Sequence, residues 1–261
     1  LADKNIISMM NKFLLLVIAN IISISLYAQY VDINLVNCKI SETEQKKIEK
    51  LIAYERMFCN EIFETRENIT APVKINLYGK SKDYRLAQKT YSAPINSAGF
   101  YIAAINEAFV YKSSDFISVA LHEASHSIFQ FNFKKSPKWL NEGLAEFFET
   151  LDFDSEGNLY SYPQSGRIKR IKAGIDSKDS ERLKNFFKIY SGSFYGHDID
   201  DNYNTAYSVI YFFIKSKRTD LLKKIIKLNT QGYDTEKAIE LTFGSFDRFE
   251  ERYKLFYNYH K

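Results

Sequence analysis

LHEASHSIFQFNFKKSPKWLNEGLAEFFET, residues 121–150, sets the reading of the whole chain. It holds two of the protein's four histidines, His122 and His126, four places apart, with Glu123 directly after the first. Ile117, Leu121, Ala124, Ile128 and Phe129 recur around them at helical spacing, so a helix is predicted from Ser114 to about Asn132. On a helix, positions i and i+4 lie one above the other, and both imidazoles can reach a single ion. Glu123, one residue along, points at a different angle. It is expected near such an ion without ligating it, where a general base takes a proton from activated water. Two neutral imidazoles leave a zinc ion its full charge. A third protein ligand with an open fourth position then makes a catalytic site rather than a structural one.

The second half of the stretch supplies that ligand. Lys134-Lys135-Ser136-Pro137 breaks the first helix and starts another, with Ser136 expected as the cap and Pro137 at the first helical position, running to about Thr150. Glu142 and Glu146 on it are again at i and i+4 and face one way. Two antiparallel helices joined by a short loop bring their facing sides within side-chain reach. Glu142 would complete a His, His, Glu set for one Zn²⁺. Glu146, one turn on, is expected to accept the second ring N–H of a ligating histidine, His122 first, which fixes that ring's tautomer. A glycine and a third histidine after His126 would extend the motif in another way, but Phe129 and Asn132 hold those places.

Nearer the N-terminus, Tyr30 to Val36 reads as a strand. Ser41 and Glu44 form a capping-box pattern ahead of a long amphipathic helix to about Arg66. Val73, Ile75 and Leu77 alternate across a half-buried strand, and a short helix is expected over 82–89. GFYIAA (99–104) and EAFVYK (107–112) read as a hairpin joined by Ile105-Asn106. Beyond Asp152 the chain reads as surface loops, then as helices over about 178–190, 201–216, 219–229, 235–242 and 246–258. Strands first and helices afterwards predict an α+β fold: a small N-terminal sheet packed on the HExxH helix, followed by a mainly helical half. A single domain is expected over 29–261, divided into a strand-rich part 29–112, the helix pair 113–151 and a helical part 152–261.

Ahead of it, Met9 to Lys12 and the apolar run FLLLVIANIISISL (13–26) resemble a secretory signal peptide, with cleavage expected after Ala28 and residues 1–8 as upstream sequence. The run is shorter than the roughly 20 residues that span a bilayer, so a periplasmic or secreted protein without a stable membrane span is expected. An uncleaved anchor is the alternative. In an oxidising compartment Cys38 and Cys59 could pair or remain free thiols, and the sequence leaves both open. The net charge of +4 is small for the length and mixed along the chain, which excludes the electrostatic footprint of a nucleic-acid binder.

HEASH followed by PKWLNEGLAEFFE resembles the gluzincin metallopeptidases: thermolysin-like enzymes, zinc aminopeptidases of the aminopeptidase N type and stand-alone peptidase-MA-like domains. The resemblance is strong over about 119–150 and diffuse over 70–258. It implies a zinc-dependent hydrolase acting on peptides or proteins, with Glu142 as the third zinc ligand. The interval from His126 to Glu142 is a few residues shorter than in the aminopeptidases. Tyr203-Asn204-Thr205-Ala206 is similar to the tyrosine-led helix of those enzymes, which implies that the Tyr203 hydroxyl steadies the oxyanion, with Tyr207 as its rival. The resemblance also implies strand addition of the peptide along an edge strand, 99–104 or 107–111. The aminopeptidases' glycine-x-methionine-glutamate-asparagine segment is absent, and their large β-domain has no room here, which favours the compact type. The competing expectation is a catalytically silent zinc-binding or interaction module on the same scaffold. His197 reads as a surface-loop residue, His260 as incidental and Trp139 as packing.

Overall fold

The computed structural model describes residues 31–175 and 181–259; the expected signal peptide and His260 lie outside them. The chain opens with β1 (Val31–Val36), α1 (Glu42–Ile62), a 3₁₀ turn (Glu67–Thr70), β2 (Val73–Tyr78), α2 (Ser81–Thr90), β3 (Gly99–Ile102) and β4 (Glu107–Tyr111). The strands form one sheet in the order β1-β2-β4-β3, with β1, β2 and β4 parallel and β3 antiparallel at the edge. The capping box forms as expected: the Ser41 hydroxyl accepts from the Glu44 N–H at 3.1 Å and the Glu44 carboxylate from the Ser41 N–H at 2.7 Å. Such a cap stabilises a helix by about 1 kcal/mol. The helix stops at Ile62, short of Arg66, because Glu64 turns into the left-handed region at φ 52°.

Each face of the sheet has its own cover. Val73, Ile75, Leu77 and Val110 join Ile48, Leu51 and Ile52 of α1 and Leu121, Ala124 and Ile128 of the HExxH helix in one apolar cluster. On the opposite face Tyr84 of α2 packs on Phe100 and Phe109, which are register partners with stacked rings 4.8 Å apart. The link between β3 and β4 takes four residues rather than two. Asn106 adopts φ 55°, a conformation asparagine tolerates in turns.

The helix pair follows as α3 (Phe116–Asn132) and α4 (Lys138–Phe148). Pro137 sits one place earlier than expected, at the cap itself, and no side chain caps the helix, so Ser136 precedes the cap. Next comes a hairpin, β5 (Leu151–Phe153) and β6 (Leu159–Ser161), where loops were expected. The Asp154 carboxylate closes it by accepting the N–H groups of Glu156 and Asn158, and Gly157 supplies φ 81°. A further helix, α5 (Ser165–Ile175), also falls where loops were expected. Its apolar stripe is thin, Ile168, Ile171 and Ile175, and only Ile171 is buried.

The rest is helical: α6 (Arg182–Phe187), α7 (Ser191–Phe194), α8 (Ile199–Lys215), α9 (Thr219–Thr230), α10 (Thr235–Phe243) and α11 (Phe246–Tyr259). The fold is therefore α+β, a small mixed sheet followed by a helical half. Trp139 is buried and donates from its indole nitrogen to Thr235 at 2.9 Å, a packing role. The two cysteines are not bonded. Cys38 donates to the Leu77 carbonyl at 3.2 Å beside the sheet, while Cys59 is buried in the core on α1. No helix among the described residues is long and apolar enough to cross a membrane.

One contact places the site. A Cβ on Gly143 of α4 would stand 2.6 Å from the Ala206 carbonyl of α8. Only glycine lets the two backbones meet there. Tyr203, one turn before Ala206, is thereby carried over the helix pair.

Candidate metal centre

His122 and His126 project from one face of α3 with ring centroids 5.0 Å apart. Across from them Glu142 of α4 aims one oxygen, Oε2, at both: it lies 3.7 Å from His122 Nε2 and 3.7 Å from His126 Nε2. Ligand atoms around a tetrahedral ion with bonds of about 2.0–2.1 Å stand roughly 3.4 Å apart, so the two edges that meet at Glu142 are a few tenths of an ångström long. Glu142 is 2 % exposed, and its Oε2 is buried with no hydrogen-bond partner. An orphaned carboxylate oxygen in the interior is costly unless a cation or donor meets it. The three side chains fit a divalent cation on geometry and on chemistry.

The second nitrogen of each ring is engaged. Asn141 Oδ1 lies 2.8 Å from His126 Nδ1 and Glu149 Oε1 lies 2.6 Å from His122 Nδ1. The Asn141 acceptor places the His126 ring proton on Nδ1 and leaves that ring's Nε2 lone pair free toward Glu142, while Glu149 stands against His122 Nδ1 at ion-pair distance without hydrogen-bond geometry. Here the expectation for Glu146 fails. Its carboxylate pairs instead with Arg167 of α5, Oε2 to Nη2 at 2.6 Å. Helix geometry explains the exchange. Glu149, seven residues after Glu142, lies about 20° from it around the helix, whereas Glu146 is about 40° away. Because α4 runs antiparallel to α3, Glu149 reaches His122 from beyond Glu142. The i+7 spacing was the signal that the i+4 reading passed over.

His122, Glu146 and Glu149 also converge closely enough to suggest a cation. The Arg167 guanidinium already supplies one. It is held in place by Gln164 Oε1 and by Asn204 Oδ1 at 3.2 Å.

Two tyrosines flank Glu142. The Tyr195 hydroxyl donates to Glu142 Oε1 at 2.6 Å and accepts from Lys138 Nζ at 2.7 Å. No periodicity could have found Tyr195: it lies 53 residues from Glu142, just past α7. Tyr203 stands nearer His122, ring centroids 6.5 Å apart, and packs edge-on against Phe194. Tyr207 is fully buried, is not among the residues that line the cleft, and its hydroxyl accepts from the Gln164 N–H at 3.1 Å. His197 is on the surface, its side chain 99 % exposed.

Glu123 is buried beside the triangle and packs on β3. A Cβ on Gly99 would stand 2.8 Å from Glu123 Oε1 and 2.5 Å from Val119 Cγ1, so the strand comes this close only because residue 99 has no side chain. Burial pushes the Glu123 carboxyl up to about 8, with the Glu142 and Glu149 carboxylates adding to the effect and His122 opposing it. For Glu142, burial acts upward, but His126, His122 and Tyr195 together hold it far below the ordinary carboxylate range. Burial likewise opposes the His122 imidazolium, yet Glu142 and Glu149 outweigh it and raise its pKa. Burial wins at His126 and lowers its pKa.

A cleft of about 630 Å³ opens over the triangle, walled by Gly99, Phe100 and Tyr101 of β3 on one side and by Tyr195 and Tyr203 on the other. β4 is interior to the sheet, so of the two strands considered for strand addition only β3 is an edge. No curated protein matches the chain. Residues 116–232 match a family model described as a protein of unknown function, DUF1570, a span that runs from the start of α3 past α9 and contains every residue of the triangle and its flanking tyrosines.

Proposed function

We propose that the protein is an exported, zinc-dependent hydrolase of peptide bonds, with His122, His126 and Glu142 holding one Zn²⁺. The observation that carries this reading is the buried, partnerless Glu142 Oε2, equidistant from two Nε2 atoms, with Asn141 hydrogen-bonded behind His126 and the Glu149 carboxylate close behind His122. A site of nitrogen and oxygen donors with three protein ligands suits zinc with an open fourth position. When bound, zinc supplies Lewis acidity and makes a water acidic enough to be activated near neutral pH.

The remaining steps belong to the chain. Glu123 takes the proton of the attacking water and hands it to the leaving amine. Its buried place against Gly99 keeps the carboxylate from drifting out of reach. The Tyr203 hydroxyl, facing the cleft near His122, donates to the oxyanion of the tetrahedral intermediate, a contribution of about 3 kcal/mol where such donors have been removed. β3 presents its unpaired edge to an extended peptide laid along the cleft.

Metal analysis and peptide hydrolysis on wild type and Glu123→Gln test the proposal together. One equivalent of zinc in both proteins, with cleavage by wild type and at least a thousandfold loss in the variant, is expected. Zinc in both with no cleavage of any peptide library would leave a silent binding module. Less than a tenth of an equivalent of zinc in wild type would overturn the metal reading.

A further inference from the structure

We propose that Tyr195 is a positioning residue that makes Glu142 a one-oxygen ligand, an inference that rests on the zinc reading of the same site. A glutamate beside a divalent ion can bind through one carboxylate oxygen or through both. The two modes differ in how many positions remain for water and substrate. In this protein the two oxygens of Glu142 are treated differently. Oε1 accepts the Tyr195 hydroxyl at 2.6 Å, and Oε2 faces both imidazoles with no other partner.

Nothing else in the surroundings could hold Oε1 as firmly. Lys138 Nζ is 3.9 Å from Oε1, beyond hydrogen-bond distance. It donates at 2.7 Å to the Tyr195 oxygen and lies 4.9 Å from the centroid of that ring. A cation donating to the phenol oxygen polarises the O–H and strengthens its bond to the carboxylate. The order is therefore Lys138 to Tyr195 to Glu142. The ammonium acts on the ligand through the phenol hydroxyl, and directly only as a long ion pair. Because Lys138 and Glu142 are one turn apart on α4, the only part brought in from elsewhere is the phenol. The segment from Tyr190 to Asp198, with the short α7 at its centre, thus completes the metal site while forming a cleft wall.

Zinc affinity decides it, measured on the purified protein by competition with a chromogenic chelator. Tyr195→Phe keeps the ring and deletes the donor, and is expected to weaken zinc binding by about 10- to 100-fold, the range found when a hydrogen-bond partner of a metal ligand is removed. Tyr203→Phe, which deletes a neighbouring cleft hydroxyl that does not touch Glu142, is expected to bind zinc within twofold of wild type. Cobalt gives the second reading. If Oε1 is released and swings onto the ion, the coordination number rises and the visible absorption of the cobalt form weakens in Tyr195→Phe alone. Equal zinc affinity and an unchanged cobalt spectrum in Tyr195→Phe overturn the proposal and leave the zinc site standing. An equal loss in Tyr203→Phe also overturns it. Should Tyr195→Phe not fold, Tyr195→Leu replaces it, and failure of both makes Tyr195 a structural residue and sinks the idea. A wild-type protein that takes up no zinc removes the larger reading and this one with it.

Discussion

The two imidazoles of the triangle are held by unlike surroundings. His126 leans on neutral groups: Asn141 Oδ1 accepts from its Nδ1, and its ring lies 5.8 Å from that of Tyr101, whose hydroxyl is held by Asn106 and Gln130. His122 leans on charge: the Glu149 carboxylate lies 2.6 Å from its Nδ1, with Glu146 and Arg167 behind it. The pKa directions follow, up for His122 and down for His126. A neutral amide fixes a ring in place, whereas a carboxylate both fixes it and makes it a stronger donor. The His126 end is therefore built for placement, and the His122 end couples metal binding, stability and pH.

Arg167 offers one break in that contrast. Glu146 is 4 % exposed, and burial, with Glu149 adding to it, pushes its carboxyl up to about 7 even with the guanidinium in place. Arg167→Met leaves that carboxyl without its cation, and because the carboxyl can stay protonated instead, the electrostatic cost at pH 8, one unit above the wild-type value, is at most about 1.4 kcal/mol. The sign with pH follows from the raised folded value. The variant's deficit in urea unfolding should be largest near pH 8 and shrink toward pH 5, where Glu146 is protonated in both proteins. The paired replacement Glu146→Met/Arg167→Met is expected to recover most of the loss. A deficit that does not change with pH would place the effect in packing instead.

Substituting the two ring partners compares the ends directly. Glu149→Ala is expected to lower zinc affinity by about 100-fold and Asn141→Ala by about 10-fold, the two ends of the range for such partners. Chelator competition on the folded variants reads both. Equal losses would mean that charge at the His122 end adds nothing beyond orientation.

The same contrast separates what the sequence revealed from what it hid. His122, Glu123, His126 and Glu142 were legible because a local rule, the i, i+4 face of a helix, brings them together, and a short link sets the second helix against the first. Asn141 and Glu149 lay within the same legible stretch, but their roles depend on where each falls around α4 to within a few tens of degrees. Arg167 and Tyr195 were out of reach. They come from α5 and from the end of α7, segments with thin apolar stripes that read as loops, and only tertiary packing carries them to the site. The crossing that brings in Tyr203 was marked by Gly143, whose missing side chain is a demand of α8 rather than of α4.

Glu55 of α1 sharpens the contrast from beneath. It is completely buried, both of its carboxylate oxygens lack a hydrogen-bond partner, and His122 and Arg56 are the charges that act on it. Burial raises its pKa well above the ordinary 4.5, against the pull of Arg56 and His122. A carboxyl with a raised folded pKa favours the native state fully below the unfolded value, and that favour is lost as pH rises through the folded one. Glu55→Gln removes the titration while keeping the shape. Its stability relative to wild type is therefore expected to rise with pH from about 4.5 upward, by at most about 1.4 kcal/mol per pH unit, and to level off above the folded pKa. Urea unfolding at pH 4.5, 6 and 7.5 checks this. A stability difference that stays flat across the three would show that Glu55 is ionised in the native protein, drawn down first by the Arg56 guanidinium and then by the charge at the His122 end of the metal site.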